Sequence, residues 1–118
     1  MTLGRSEDLH IEIIDRPSGT QLIKLSGPLT LRTLFEFQAA ARRHTGALVI
    51  DAAGIPYMDS AGLGALIGIF ASCQRTGQKF AISNVPERVF VLFEMTGVNG
   101  ILPCFPSLDE AEAAVTPT

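Results

Sequence analysis

Tryptophan is absent from this chain, tyrosine occurs once, and cysteine and histidine occur twice each. The two thiols, Cys73 and Cys104, have no Cys or His neighbour at metal-ligand spacing, so they are read as reduced packing residues rather than as a disulfide or a metal site. His10 falls in a polar position of a strand pattern and His44 at a helix end, which leaves a catalytic nucleophile little choice of base. Basic residues are also scarce: nine Lys and Arg against twelve Asp and Glu give a net charge of -3. With no Lys/Arg cluster, nucleic acid is not expected as a direct partner. Long apolar runs are missing too. Met1 to Arg16 is broken by polar residues every few positions, unlike a signal peptide, and the apolar part of 61–71 is too short and Gly-rich to span a membrane. These lacks point to a cytoplasmic protein that needs no cofactor, metal or membrane segment, and they leave its oligomeric state open.

What is present is enough for one continuous core. The 118 residues are 47% hydrophobic and 18% charged, with a mean hydropathy of +0.30, which excludes a disordered chain and leaves apolar surface for a partner. No linker divides the chain, so residues 1–118 are read as a single domain with its core at about 9–115.

Leu9 to Asp15 alternates in part, Arg16-Pro17-Ser18-Gly19 turns, and Gln21 to Ser26 alternates again, giving strand, turn, strand. Gly27-Pro28 stops the second strand. Thr30 or Thr33 is placed to cap a helix running to about His44, with Leu31, Leu34 and Phe35 on one side. Ala47-Leu48-Val49-Ile50 reads as a strand buried on both faces, closed by Asp51. Ser60 to about Arg75 is a second helix ended by Gly77, and Lys79 to Ser83 is another strand. Pro86 opens a third helix through Met95, stopped by Gly97 and apolar around much of its circumference. Ile101 to Phe105 is extended, and Ser107-Leu108-Asp109-Glu110 is a capping box that starts a last helix. Strands alternating with helices imply an α/β domain, a mixed and mostly parallel sheet of four to five strands with four helices.

The most informative stretch is Asp59-Ser60-Ala61-Gly62-Leu63-Gly64. It places Ser60 where a strand gives way to a helix, at the carboxyl edge of the sheet, where unpaired N–H groups and the helix dipole favour a phosphate. The plainer role for Ser60 is that of an N-cap. At about 100° per residue, Leu63, Leu66, Ile67 and Phe70 form a core stripe, and Ala61, Ala65, Gly68 and Ser72 an opposite face of small, uncharged residues. That face suits either a docking partner or another helix of the same chain. A serine hydrolase would need Gly-x-Ser-x-Gly, but Met58 occupies the first glycine position. A phospho-accepting aspartate at Asp51 would need a second acid beside Asp15 and a lysine near the last strand. No catalytic residue is therefore assigned, and Asp51 is expected to order loop 52–58 through backbone hydrogen bonds.

Together with Leu48-Val49-Ile50-Asp51, the segment Asp59 to Gly64 resembles a STAS domain, most closely the bacterial anti-sigma factor antagonists. Asn84-Val85, Phe93 and Thr96-Gly97 resemble the family's next block, and Gly27-x-Leu29 with Thr33 the block before the first helix. The resemblance implies that Ser60 is phosphorylated by a serine kinase that is also an anti-sigma factor. It further implies that the unphosphorylated form binds that kinase, and that a serine phosphatase resets the switch. It makes Asp59, Ala61, Gly62 and Gly64 part of the kinase-binding surface, which Ala65 and Gly68 continue along the small face, with Asp51 in support. Thr30 stands where the family commonly has an acidic residue that helps in the kinase contact. The alternative within the same fold is a non-switching scaffold or small-ligand module in a stress-signalling or transport assembly.

Overall fold

In the computed structural model, residues 8–116 are described. The two ends of the 1–118 domain, with the first seven residues of the stretch read as lacking a signal-peptide core, lie outside the described residues. The alternating segments form β1 (His10–Asp15) and β2 (Gln21–Ser26), an antiparallel hairpin in which Ile13 faces Ile23. The chain then runs α1 (Leu34–Ala41), β3 (Leu48–Gly54), α2 (Ser60–Thr76), β4 (Phe80–Ser83), α3 (Glu87–Thr96), a 3-10 turn at Val98–Gly100, β5 (Cys104–Phe105) and α4 (Leu108–Val115). Strands pair in chain order, β1-β2-β3-β4-β5, and every pair after the hairpin is parallel.

Because side chains alternate across a strand, the sheet sorts its apolar residues to two faces. Ile23, Leu25, Leu48, Ile50, Phe80 and Ile82 meet buried residues of α1, α2 and α3, including Phe37, Leu66, Ile69 and Phe93. Leu22, Val49 and Ala81 point the other way, onto Ala111 and Val115 of α4. The unbroken Leu48-Val49-Ile50 run follows from this, since β3 is covered on both faces. Arg16 of the hairpin turn fastens α4 further by a 2.9 Å ion pair with Glu112.

Helix ends follow their local chemistry. Gly77 and Gly97 stop α2 and α3 in the left-handed conformation, at φ 74° and 78°. Ser107 caps α4, accepting from the Glu110 N–H at 3.2 Å and donating its hydroxyl to the Glu110 carboxylate at 2.9 Å.

Two expectations need correction. The first helix ends at Ala41 rather than near His44. Gln78 donates to the carbonyls of His44 and Gly46, at 2.9 and 2.6 Å, and His44 Nε2 contacts the Gly19 carbonyl at 2.9 Å. Those ties from distant segments hold 44–46 out of the helix, and the half-buried His44 makes its ring contact at an exposed edge. The helix starts at Leu34 with Thr33 at its N-cap, one of the two expected positions, although the Thr33 hydroxyl donates to the Pro28 carbonyl at 2.9 Å instead of capping. Second, Leu31 and Phe35 do not share the buried side with Leu34: they are 63% and 68% exposed, while Phe37 is fully buried. The third helix, α3, apolar around much of its circumference, buries only Val89 and Phe93 fully, while Val91 and Met95 are exposed. No described helix is long and apolar enough to cross a membrane.

Candidate functional site

The site begins where β3, the middle strand, runs out. Loop 55–59 is held from below by buried Ile55 and Met58, and from the side by a parallel bridge between Met58 and Leu29. Through that bridge the Leu29 N–H donates to the Tyr57 carbonyl and the Asp59 N–H to the Leu29 carbonyl, both at 3.3 Å. Two of the segments that carry the resemblance, 27–33 and 59–64, thus lie side by side.

Asp59, not Ser60, caps α2. Its Oδ1 accepts from the Gly62 N–H at 2.8 Å, as an N-cap carboxylate does, and its Oδ2 accepts from the Leu31 N–H at 3.2 Å. Both oxygens are therefore engaged, one within the helix and one across to the neighbouring segment. Ser60 is the first helical residue and is exposed. Among the described residues its hydroxyl has no hydrogen-bond partner, and the N–H groups of Ser60 and Ala61 have no protein acceptor. Asp59→Ala removes the cap and the bond to Leu31 together. It should lower unfolding stability by about 1–2 kcal/mol, read as a reduced urea midpoint with an unchanged slope; an unchanged midpoint would contradict the cap's assigned weight.

Gly62 fits because a Cβ there would run into the Leu29 carbonyl group. A glycine two residues into a helix is thus required by the approach of another backbone. Gly64 and Gly68 differ, since a Cβ on either meets nothing within 4 Å. Gly64 is exposed and Gly68 half-buried.

The outward face of α2 is rotated from the one expected. Gly62, Leu63, Ala65, Leu66, Ile69 and Cys73 are its buried residues, with Ala65 only 4% exposed. Ala61 is half-buried against the same core and Ser72 half-buried beside it. The cause is that α2 packs on α1 and the Leu29 segment as well as on the sheet, so its buried arc is wider than a helix on a sheet alone would need. Gly62 and Ala65 are therefore not available to a partner. What remains exposed is Ser60 and Gly64 in the first half of the helix and Gln74, Arg75 and Thr76 at its end, with Ile67, Gly68 and Ala71 half-buried.

Thr30 is also corrected. It is 8% exposed. Its N–H donates to Thr33 Oγ1 at 3.0 Å and its Oγ1 accepts from the Arg32 N–H at 3.3 Å. The side chain is used up in the turn before α1, and Leu31 beside it faces outward. Asp51 is 6% exposed. Its Oδ1 accepts from Ser83 Oγ and Asn84 Nδ2, each at 3.1 Å, and from the Ala53 N–H at 3.3 Å. The Ala53 bond lies within β3, which runs on to Gly54 instead of closing at Asp51, so Asp51 does not order a loop 52–58; the other two bonds fasten β3 to the end of β4, where Asn84 takes a left-handed backbone at φ 57°. None of these bonds reaches Asp59 or Ser60.

Burial pushes the thiol of Cys104 up to about 11 and that of Cys73 upward, which keeps both protonated at neutral pH. Among the described residues, no group of His, Cys, Asp and Glu is arranged to hold a metal ion.

Residues that the sequence reading missed are Leu31, Phe35 and Tyr57, all large, apolar in part and exposed near this site, with Tyr57 at 45%. Spacing groups Leu31 and Phe35 on one side of the helix with Leu34, which is buried. The signal for Tyr57 was its place as the single tyrosine, two residues before the capping aspartate.

The profile of the STAS domain family matches residues 12–111. An anti-sigma-B factor antagonist of Listeria monocytogenes is 38% identical over 55 residues, 47% of this chain and 48% of that protein. The chain thus aligns with about half the length of that relative. The crystal structure of an anti-sigma factor antagonist from Mycobacterium paratuberculosis superposes with a TM-score of 0.84 at 22% identity, covering 98% of this chain and 100% of the other. The Bacillus cell fate determinant SpoIIAA in its phosphorylated form superposes with a TM-score of 0.68 at 16% identity, over 88% and 97% of the two chains.

Proposed function

The chain belongs to the STAS domain family, and from that premise we propose that it is an anti-sigma factor antagonist whose binding is switched by phosphorylation of Ser60. On this reading the unphosphorylated protein docks on an anti-sigma factor that is also a serine kinase. The kinase transfers a phosphate to Ser60 and lets go, and a serine phosphatase restores the hydroxyl. The work is done in the cytoplasm, by protein contacts and without direct contact to nucleic acid.

The observation that carries this reading is the freedom of the Ser60 hydroxyl at the first position of a 17-residue helix. Asp59 does the capping, so Ser60 is not needed to hold the helix. A kinase can take the hydroxyl without breaking a bond of the fold. The unpaired N–H groups of Ser60 and Ala61 and the helix dipole then stabilise the product phosphate. The similarity to antagonists, one of them in a phosphorylated form, supports the same reading.

The test is incubation with ATP and each anti-sigma factor kinase encoded in the same genome, followed by intact mass. One added phosphate is expected on the wild type and none on Ser60→Ala. No phosphate on the wild type, or one that persists in Ser60→Ala, overturns the switch.

A further inference from the structure

Three large side chains stand exposed around the start of α2: Leu31 (63%), Phe35 (68%) and Tyr57 (45%). Scattered exposed apolar residues are ordinary on a protein surface. These three are not scattered. Tyr57 and Leu31 flank the Leu29–Met58 bridge, the Tyr57 carbonyl accepts from the Leu29 N–H, and the Leu31 N–H is bound by the carboxylate of Asp59. Phe35 follows Leu31 by four residues across the turn that leads into α1. The bond from Leu31 to Asp59 makes this surface continuous with Ser60, so a partner covering the hydroxyl meets the apolar side chains too.

We propose that Leu31, Phe35 and Tyr57 are the specificity-determining part of the docking surface at Ser60, and that the anti-sigma factor they select presents an apolar patch to them. This rests on the function proposed above and specifies the chemistry of its partner. Charge argues for it. Thr30 is uncharged and turned inward, and both carboxylate oxygens of Asp59 are already engaged. Arg32 and Glu36, next to Leu31 and Phe35, carry opposite signs. Asp59 keeps its negative charge but is half-buried and held by two N–H groups, so what this surface offers a partner is mixed charge and three large exposed side chains, and aromatic anchors at the centre of a contact commonly carry its affinity. The arrangement also explains how a phosphate acts: one placed on Ser60 sits at the edge of an apolar contact, where it is left poorly hydrated unless the partner leaves.

The experiment is titration calorimetry of the intact chain against each purified anti-sigma factor kinase from the same genome, without ATP. The Leu31→Gln/Phe35→Gln double variant should lose at least about tenfold in affinity while keeping the wild-type thermal midpoint. Tyr57→Gln, outside any helix, should weaken binding in the same direction and guards against a folding effect in α1. Wild-type affinity should change less than about threefold between about 0.05 and about 0.5 M salt, as an apolar contact does. Variants that bind within about twofold of wild type, or a steep salt dependence, overturn the apolar selection even if Ser60→Asp still releases the partner. If the wild type binds none of the kinases, the proposed function fails and this inference fails with it.

Discussion

Gly62→Ala is expected to destabilise the protein by about 3 kcal/mol, a large part of the roughly 5–15 kcal/mol that holds a domain folded. The new methyl group would occupy the space of the Leu29 carbonyl. A clash with a flexible side chain is relieved by a rotamer change, but backbone has no such escape. The first turn of α2 must move away from Leu29, and the hydrogen bonds of the Leu29–Met58 bridge, both 3.3 Å, are lost or stretched. Working against this is the better helix propensity of alanine, about 1 kcal/mol, so the clash dominates. Gly64→Ala is the matched control, one turn position away with nothing within 4 Å; there the propensity gain should appear unopposed as a rise of up to about 1 kcal/mol. Urea unfolding of the two variants measures the difference. Equal effects at both positions would mean that Leu29 does not press on α2. The pair also separates fold from function, because Gly64 is exposed on the face that carries Ser60: a variant that is more stable yet binds the anti-sigma factor less well would place Gly64 in the contact.

Ser60→Asp should lower affinity for the anti-sigma factor at least about tenfold, or about 1.4 kcal/mol, with no loss of fold. Two opposing terms decide the sign. A negative charge at the first helical position is favoured by the dipole, by about 0.3–1 kcal/mol in an exposed setting, and this acts in the free protein. In the complex the same charge lies against an apolar contact and beside the Asp59 carboxylate, where removing it from water costs several kcal/mol unless it is paired. The free state gains and the bound state loses, so the partner is released. Phosphoserine, with a charge of about -1.5 to -2, should act in the same direction and more strongly. Calorimetry with the kinase, alongside thermal unfolding of the free variant, reads both terms. Equal affinity of Ser60→Asp and wild type would remove the electrostatic mechanism, while a marked drop in thermal midpoint would mean that Ser60 holds the fold after all.

Much of this was legible in the sequence where the cause is local. The Arg16 to Gly19 turn, the doubly buried Leu48-Val49-Ile50 strand, the Ser107 cap and the glycine stops at Gly77 and Gly97 depend on residues within a few positions of one another, and each appears as its chemistry dictates. The Asp59 to Gly64 motif was visible for the same reason. What was misjudged depends on distant neighbours. Ala65 was placed outside because spacing gives the angle between residues on a helix but not the direction of its neighbours, and α1 lies on that side. Phe35 is exposed although its spacing groups it with the buried Leu34, because which arc of α1 meets the core is set by elements distant in the chain. Thr30 turned inward in the turn before α1.

The sequence by itself determined the STAS-like order of strands and helices, the helix stops, and the placing of a serine at a helix start, because hydrogen bonding and steric preference act over a turn or two of chain. The tertiary structure alone decided that Asp59 rather than Ser60 caps that helix, that Gly62 is held by Leu29, and that Leu31, Phe35 and Tyr57 are exposed, with the Leu31 and Tyr57 segments tied to the start of that helix. Segments about 30 residues apart must meet before those contacts exist, and which faces they cover depends on where every other element has already packed.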